Sequence, residues 1–192
     1  MSEQKLMKLV EQRLSAKRAH HVICVWEQAL KMAARFGEDP KKTGTAALLH
    51  DITKEVPLDE QLKMLQKFGI INDNVILKSP SLYHAITGAL YAERELGITD
   101  ADILAAVRYH TTARAGMSRL EQIIYLADAV SADRTYKQVE KFRRLAMEDL
   151  DLCMLEMLKH SIRYLVKDEC LLPADTLQAY NQYCEMDHQK GR

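Results

Sequence analysis

What most limits the fold is a hydrophobic pattern that repeats at helical spacing almost from end to end. It is broken only by capping and stop signals and never gives way to a sustained alternation of apolar and polar residues. Leu6, Leu9, Val10 and Leu14 place one apolar stripe on a short helix over residues 3–14. Ser15 caps a longer helix, about 16–36, that Gly37 ends. Asp39-Pro40 reads as a cap followed by a first-turn proline, for a helix running to about Asp51. Pro57 or Leu58 opens another to Phe68, stopped by Gly69, and residues 70–78 read as a connecting loop. Ser79-Pro80 repeats the cap-and-proline signal for a helix to Leu96 that Gly97 terminates, and Thr99 or Asp100 starts the next, to about His110. Ser118-Arg119-Leu120-Glu121 is a capping box that opens a helix through Ala132. Three more helical segments follow at about 136–146, 148–167 and 174–186, with Pro173 between the last two. With no repeat, linker or low-complexity tract, residues 1–192 are expected to form one all-α domain.

Charge narrows the partners. Lys+Arg and Asp+Glu both number 27, so no net field draws the chain to nucleic acid or to an anionic membrane. The densest basic run, Lys141 to Arg144, lies in a helical pattern with Glu140 and Glu148 and reads as a solvated face. Cys24, Cys153, Cys170 and Cys184 are far apart and form no C-x-x-C pair; the first two fall in apolar patterns, where a thiol acts as a small hydrophobe. The N-terminus does not read as a targeting sequence and no long apolar run occurs, so a reducing cytoplasm is the expected setting.

Chemistry concentrates where polar groups sit on apolar helix faces. Ala46-Ala47-Leu48-Leu49 runs into His50-Asp51, with Lys54 three positions on. Neighbouring helical residues lie about 100° apart, so His50 and Asp51 converge only near a helix end. There they offer one nitrogen and one oxygen to a divalent cation. From His21, positions i+1, i+4, i+8 and i+11 are Val22, Val25, Ala29 and Met32, whereas His20 shares its face with Glu27 and Lys31. His21 is therefore expected to point inward and His20 outward. His84 occupies the first turns of an apolar helix, and His110 ends another before Thr111-Thr112. Asp128 follows Ile123-Ile124-Tyr125-Leu126-Ala127 and must be paired, metal-bound or neutralised, because an isolated buried charge is too costly. A set of ligands contributed by separate helices is how metal sites arise inside helical bundles.

The order His21, His50-Asp51, His84, His110, Asp128 resembles the HD superfamily of metal-dependent phosphohydrolases. More narrowly it resembles the YqeK-type symmetrical diadenosine tetraphosphatases. The match rests on Arg18-Ala19-His20-His21, Ala46 to Lys54, Tyr83-His84-Ala85, Tyr109 to Ser118, and Tyr125-Leu126-Ala127-Asp128 with Arg134. It covers about residues 15–150; the helices over about 150–186 carry no motif and are expected to do structural work only. The His-Asp pair is common to many HD families, while the His-Thr-Thr to Gly-Met-Ser segment is more particular to the subgroup.

The resemblance implies an HD-type helical bundle with His21, His50, Asp51 and Asp128 as metal ligands. It implies that His84 and His110 complete a second metal site or contact phosphate. It further implies iron, although the donor set also admits Mn, Co or Zn, one or two ions, a dinucleoside polyphosphate substrate and a homodimer. Asp51 is expected to orient the attacking water. Lys54 and Arg134, with Arg18 as a further candidate, are expected to neutralise phosphate. Thr111 and Thr112 either bind phosphate oxygens or cap local backbone groups. The implied reaction cleaves diadenosine tetraphosphate into two ADP. The alternatives are an HD nucleotidase or deoxynucleotide phosphohydrolase, and a nucleotide-binding sensor without turnover.

Overall fold

The computed structural model describes residues 2–67 and 74–191. Over that span the chain forms α-helices and no strand, in the order α1 Glu3–Arg13, α2 Ala16–Phe36, α3 Pro40–Leu49, α4 Leu58–Lys67, α5 Asn74–Leu77, α6 Tyr83–Arg94, α7 Ala101–Tyr109, α8 Arg119–Val130, α9 Val139–Glu148, α10 Leu150–Lys167 and α11 Ala174–Gln189. The boundaries follow the expected chemistry. The Ser15 hydroxyl accepts from Arg18 N–H at the start of α2, and Gly37 closes that helix at φ +71°. Asp39 and Asp100 accept from the first-turn amides of α3 and α7, and Ser118 with Glu121 forms both halves of a capping box on α8.

Some boundaries depart from the expectation. Ser79 makes no side-chain cap; its carbonyl accepts from Leu82 N–H at 2.9 Å, so a 3-10 turn over Pro80–Leu82 precedes α6. Residues 68–73 lie outside the described residues, including Phe68, Gly69 and part of the expected 70–78 loop. The rest of that loop contains the one-turn helix α5, because Ile76 is buried with Leu65, Tyr83, Ile86 and Leu90 in a small apolar cluster. Helix α8 stops at Val130, two residues early, since Ser131 turns extended at φ −52°, ψ 158°.

The Lys141–Arg144 run is only partly a solvated face. Arg143 is half-buried and its guanidinium donates to the carbonyls of Val130, Ser131 and Arg134 at 3.0, 2.7 and 2.8 Å. It thereby satisfies the carbonyls left open at the end of α8 and fixes the turn beyond it.

Helix α2 packs against α3 and α8, α7 lies against α3, α6 and α8, and the α10–α11 hairpin closes over α8 and α9. The stripe Val22, Val25, Ala29 and Met32 is fully buried. Each large side chain so buried contributes roughly 1.5–3 kcal/mol. Cys153, Met154, Leu155 and Leu158 of α10, with Tyr183 of α11, belong to the same core. Small residues let the helices approach where the functional groups stand. At Gly88 of α6 even a methyl would touch Val107, the His50 carbonyl and the Thr53 hydroxyl, at 3.4–3.6 Å, so nothing larger than alanine fits between α6 and the end of α3.

Candidate metal centre

Five elements deliver polar side chains to one point. His21 comes from the buried face of α2, while His20, one position earlier, is exposed. His50 is the residue at which α3 ends, and Asp51 is the first of the turn that follows. His84 stands in the first turn of α6, His110 ends α7, and Asp128 lies near the end of α8.

Asp51 is the hub. Its Oδ2 lies 3.6 Å from His50 Nε2 and 4.0 Å from His21 Nε2, and it accepts from Arg18 Nη1 at 3.0 Å. Its Oδ1 lies 3.1 Å from His84 Nε2 and 3.7 Å from His110 Nε2. The two histidine nitrogens on that side are 3.1 Å apart. Asp128 Oδ1 is 3.0 Å from His21 Nε2 and carries Arg134, whose Nη2 donates to the same oxygen. The ligand atoms group as His21, His50 and Asp51; as Asp51, His84 and His110; and as His50, His110 and Asp128. Within each set the atoms lie no more than 4.8 Å apart.

The donor set fits a divalent cation. The Nδ1–H groups of His50 and His110 donate to the carbonyls of Ala47 and Val107, both at 2.7 Å, three residues back along their own helices. That bond fixes the tautomer and leaves Nε2 as a lone pair aimed into the cluster. His50 Nε2 is fully buried without a hydrogen-bond partner among the described residues. A buried nitrogen lone pair with no donor is costly unless a cation takes it.

Burial pushes both His50 and His84 down to about 4, so both are neutral near pH 7, the form that binds metal. Burial pulls the Asp51 carboxyl up, yet His50, His110 and His84 hold it well below the usual carboxylate range. Asp128 is likewise held far down against its burial, by His21 and Arg134 among others. His21 moves the other way: burial lowers it, but Asp128 and Asp133 outweigh that and raise it.

Asp133 was not legible as a site residue. Its Oδ2 accepts from His21 Nδ1 at 2.8 Å, and Ser131 Oγ donates to its Oδ1 at 2.7 Å. It does for His21 what backbone carbonyls do for His50 and His110. Its signal was hidden because it falls just past the end of α8, in the turn that Arg143 braces. A second unforeseen group is Thr53, whose hydroxyl donates to the His84 carbonyl at 2.9 Å and meets Thr87 Oγ1 at 2.8 Å. It ties the His84 turn of α6 to the segment carrying His50 and Asp51.

The expected phosphate-binding residues ring the cluster. Lys54 Nζ lies 3.2 Å from Nδ1 and 3.3 Å from Nε2 of His84, Arg18 is on Asp51, and Arg134 is on Asp128. Thr111 and Thr112 do not cap backbone groups: both hydroxyls are buried without a hydrogen-bond partner among the described residues, and both residues line an adjoining cleft of about 870 Å³. Its outer wall comes from the chain beyond residue 150, including His160, Tyr164 and Leu165 of α10 and Leu171. Tyr136 stacks on His160 at 5.5 Å between ring centroids. A second cleft of about 500 Å³ opens beside His21 and Arg18.

Residues 18–133 match the HD domain family. The chain is 35% identical over 181 residues to a symmetrical bis(5'-nucleosyl)-tetraphosphatase of Bacillus subtilis (strain 168), covering 94% of this chain and 97% of that protein. It is 36% identical over 182 residues to a protein of the same description from Halalkalibacterium halodurans, covering 95% and 97%. Among solved structures it is similar to a predicted HD superfamily hydrolase involved in NAD metabolism from Clostridium acetobutylicum. That match has a TM-score of 0.93 at 30% identity and covers 97% of this chain and 98% of the other. No helix among the described residues is long and apolar enough to cross a membrane.

Proposed function

The chain belongs to the HD-domain family, among its symmetrical bis(5'-nucleosyl)-tetraphosphatases, and from that premise we propose that it hydrolyses diadenosine tetraphosphate to two ADP at the cluster around Asp51. The observation that carries this reading is the division of Asp51, with His50 and His21 on one oxygen and His84 and His110 on the other. His21, His50, Asp51 and Asp128, with His84 and His110, would hold one or two divalent ions there. His21 and His50 stand on the Oδ2 side and His84 and His110 on the Oδ1 side, while Asp128 lies within reach of His21 and of the His50 and His110 pair. The nitrogen and oxygen donors suit Fe, with Mn, Co or Zn also compatible. Bound there, such ions offset phosphate charge and lower the pKa of a water.

The remaining work falls to the protein's own groups. Asp51 orients the attacking water toward the central phosphoanhydride. Arg18, Lys54 and Arg134 place cations around the phosphates, where charge builds as the bridging oxygen departs. The buried hydroxyls of Thr111 and Thr112 donate to phosphate oxygens at the mouth of the larger cleft. That cleft has the size of a small-ligand site, and its Tyr125, Tyr136, His160 and Tyr164 walls suit a stacked adenine.

The test is product identity. Metal-loaded protein given diadenosine tetraphosphate is expected to yield ADP as sole nucleotide product. ATP with AMP would contradict symmetrical cleavage, and release of nucleoside or inorganic phosphate from mononucleotides would point to a nucleotidase instead.

A further inference from the structure

A symmetrical dinucleotide cut at its middle bond leaves two equal halves, and the aromatic cleft accommodates one of them. We propose that the second cleft, of about 500 Å³, holds the ribose and phosphates of the other nucleoside diphosphate. In that cleft Lys17 meets the phosphates and Thr135 the sugar. This inference rests on the tetraphosphatase reading and extends it to a second subsite.

Position is the first support. The larger cleft reaches the cluster through Thr111 and Thr112, next to His110, which stands on the Oδ1 side of Asp51. The smaller one reaches it through His21 and Arg18, which stand on the Oδ2 side. The clefts adjoin at Arg134 and Tyr136, which line both, and reach the cluster past different residues. A polyphosphate lying across Asp51 would enter one cleft at each end.

Charge is the second support. Two carboxylates face the smaller cleft, and both are engaged: Glu55 accepts from the Ser15 amide and hydroxyl at 2.6 and 2.7 Å, and Asp133 holds His21. Arg18 and Arg134 also line it, and each reaches a carboxylate of the cluster behind it, Asp51 and Asp128. Lys17 is exposed at the rim and has no hydrogen-bond or ion-pair partner among the described residues. Among the side chains that line the cleft, Lys17, Arg18 and Arg134 outnumber Glu55 and Asp133 by one, an excess suited to an anionic ligand. Among the described residues its lining includes no Ala, Val, Leu, Ile or Met, and its rings are Tyr136 and the His21 imidazole already engaged in the cluster, so it suits sugar and phosphate rather than a buried base. Its volume lies within the range of roughly 300–1,000 Å³ usual for small-molecule sites.

Two measurements on the full-length, metal-loaded protein test this. Equilibrium dialysis with labelled ADP is expected to give two ADP per chain, and one for Thr135→Trp, whose indole would fill the second cleft. Lys17→Glu is expected to raise KM for diadenosine tetraphosphate about ten-fold, leave kcat within about two-fold, and flatten the salt dependence of kcat/KM. It should leave the affinity for the first ADP unchanged. Normal turnover with one ADP per wild-type chain, or an unchanged KM in Lys17→Glu, overturns the second subsite and leaves the hydrolase reading standing. Absence of diadenosine tetraphosphate turnover in the wild type removes both.

Discussion

Around Asp51 the side chains are buried and each histidine is held by a hydrogen bond on its far nitrogen or a clamp beside it. A short distance away, the outer wall of the larger cleft is loose: Tyr164 is 60% exposed and Leu171 45%, against 0% for His50. Where the centre stands on helix ends, one turn of backbone supplies the carbonyl that aims the imidazoles of His50 and His110, and Asp133 holds that of His21. The wall is built on the solvent-facing side of α10 and the segment after it. The contrast separates two tasks. Ligands to an ion tolerate little displacement and need a preorganised shell, whereas a stacked base needs area and tolerates adjustment.

If that division of labour is right, substitutions should scale with it. Asp51→Ala should lower turnover by at least about a thousand-fold while the far-ultraviolet circular dichroism stays helical. Activity within ten-fold of wild type would place the hub elsewhere.

Next comes acid sensitivity of the metal-free protein, read from urea midpoints. His50 and His84 have folded values of about 4, below the ordinary 6.5, so the unfolded chain binds more protons between those limits. Stability is therefore present above pH 6.5 and is lost as pH falls toward 4, by about 3 kcal/mol for each group. His21, raised above 6.5, contributes in the opposite sense: its share is full below 6.5 and is lost as pH rises through its folded value. A midpoint that does not move between pH 6.5 and 4 would mean these imidazoles are not buried neutral.

Asp133→Asn, which keeps the shape but weakens the clamp on His21, should loosen metal binding about 10- to 100-fold, measured by competition with a chelating dye. The smallest effect belongs to the wall. Tyr164→Ala should raise KM about three-fold at unchanged kcat. A loss in kcat there as large as that of Asp133→Asn would erase the distinction between the two regions.

The same contrast explains what could be read before the fold was seen. An imidazole or carboxylate on an otherwise apolar face, such as His21 above Val25 or Asp128 above Ile124, stands out because its burial needs a reason. Cap residues were equally plain: Ser15, Asp39, Asp100 and Ser118 all start helices where their side chains can accept amide bonds. The wall was illegible because Tyr and Leu at helical spacing look the same whether they face a core or a cleft. Asp133 and Arg143 were hidden for a different reason. Their roles depend on where α8 ends, and a two-residue error there moves both out of the turn that gives them partners.

On the proposed reading Asp51 would help hold two ions, one with His50 and His21 and the other with His84 and His110. Metal content per chain, measured on proteins loaded with one metal and freed of excess, tests it most directly. Two ions are expected for wild type, one for His50→Ala, one for His84→Ala, and none for Asp51→Ala. A wild-type ratio of one or less, or an Asp51→Ala protein that keeps its full complement, would contradict it.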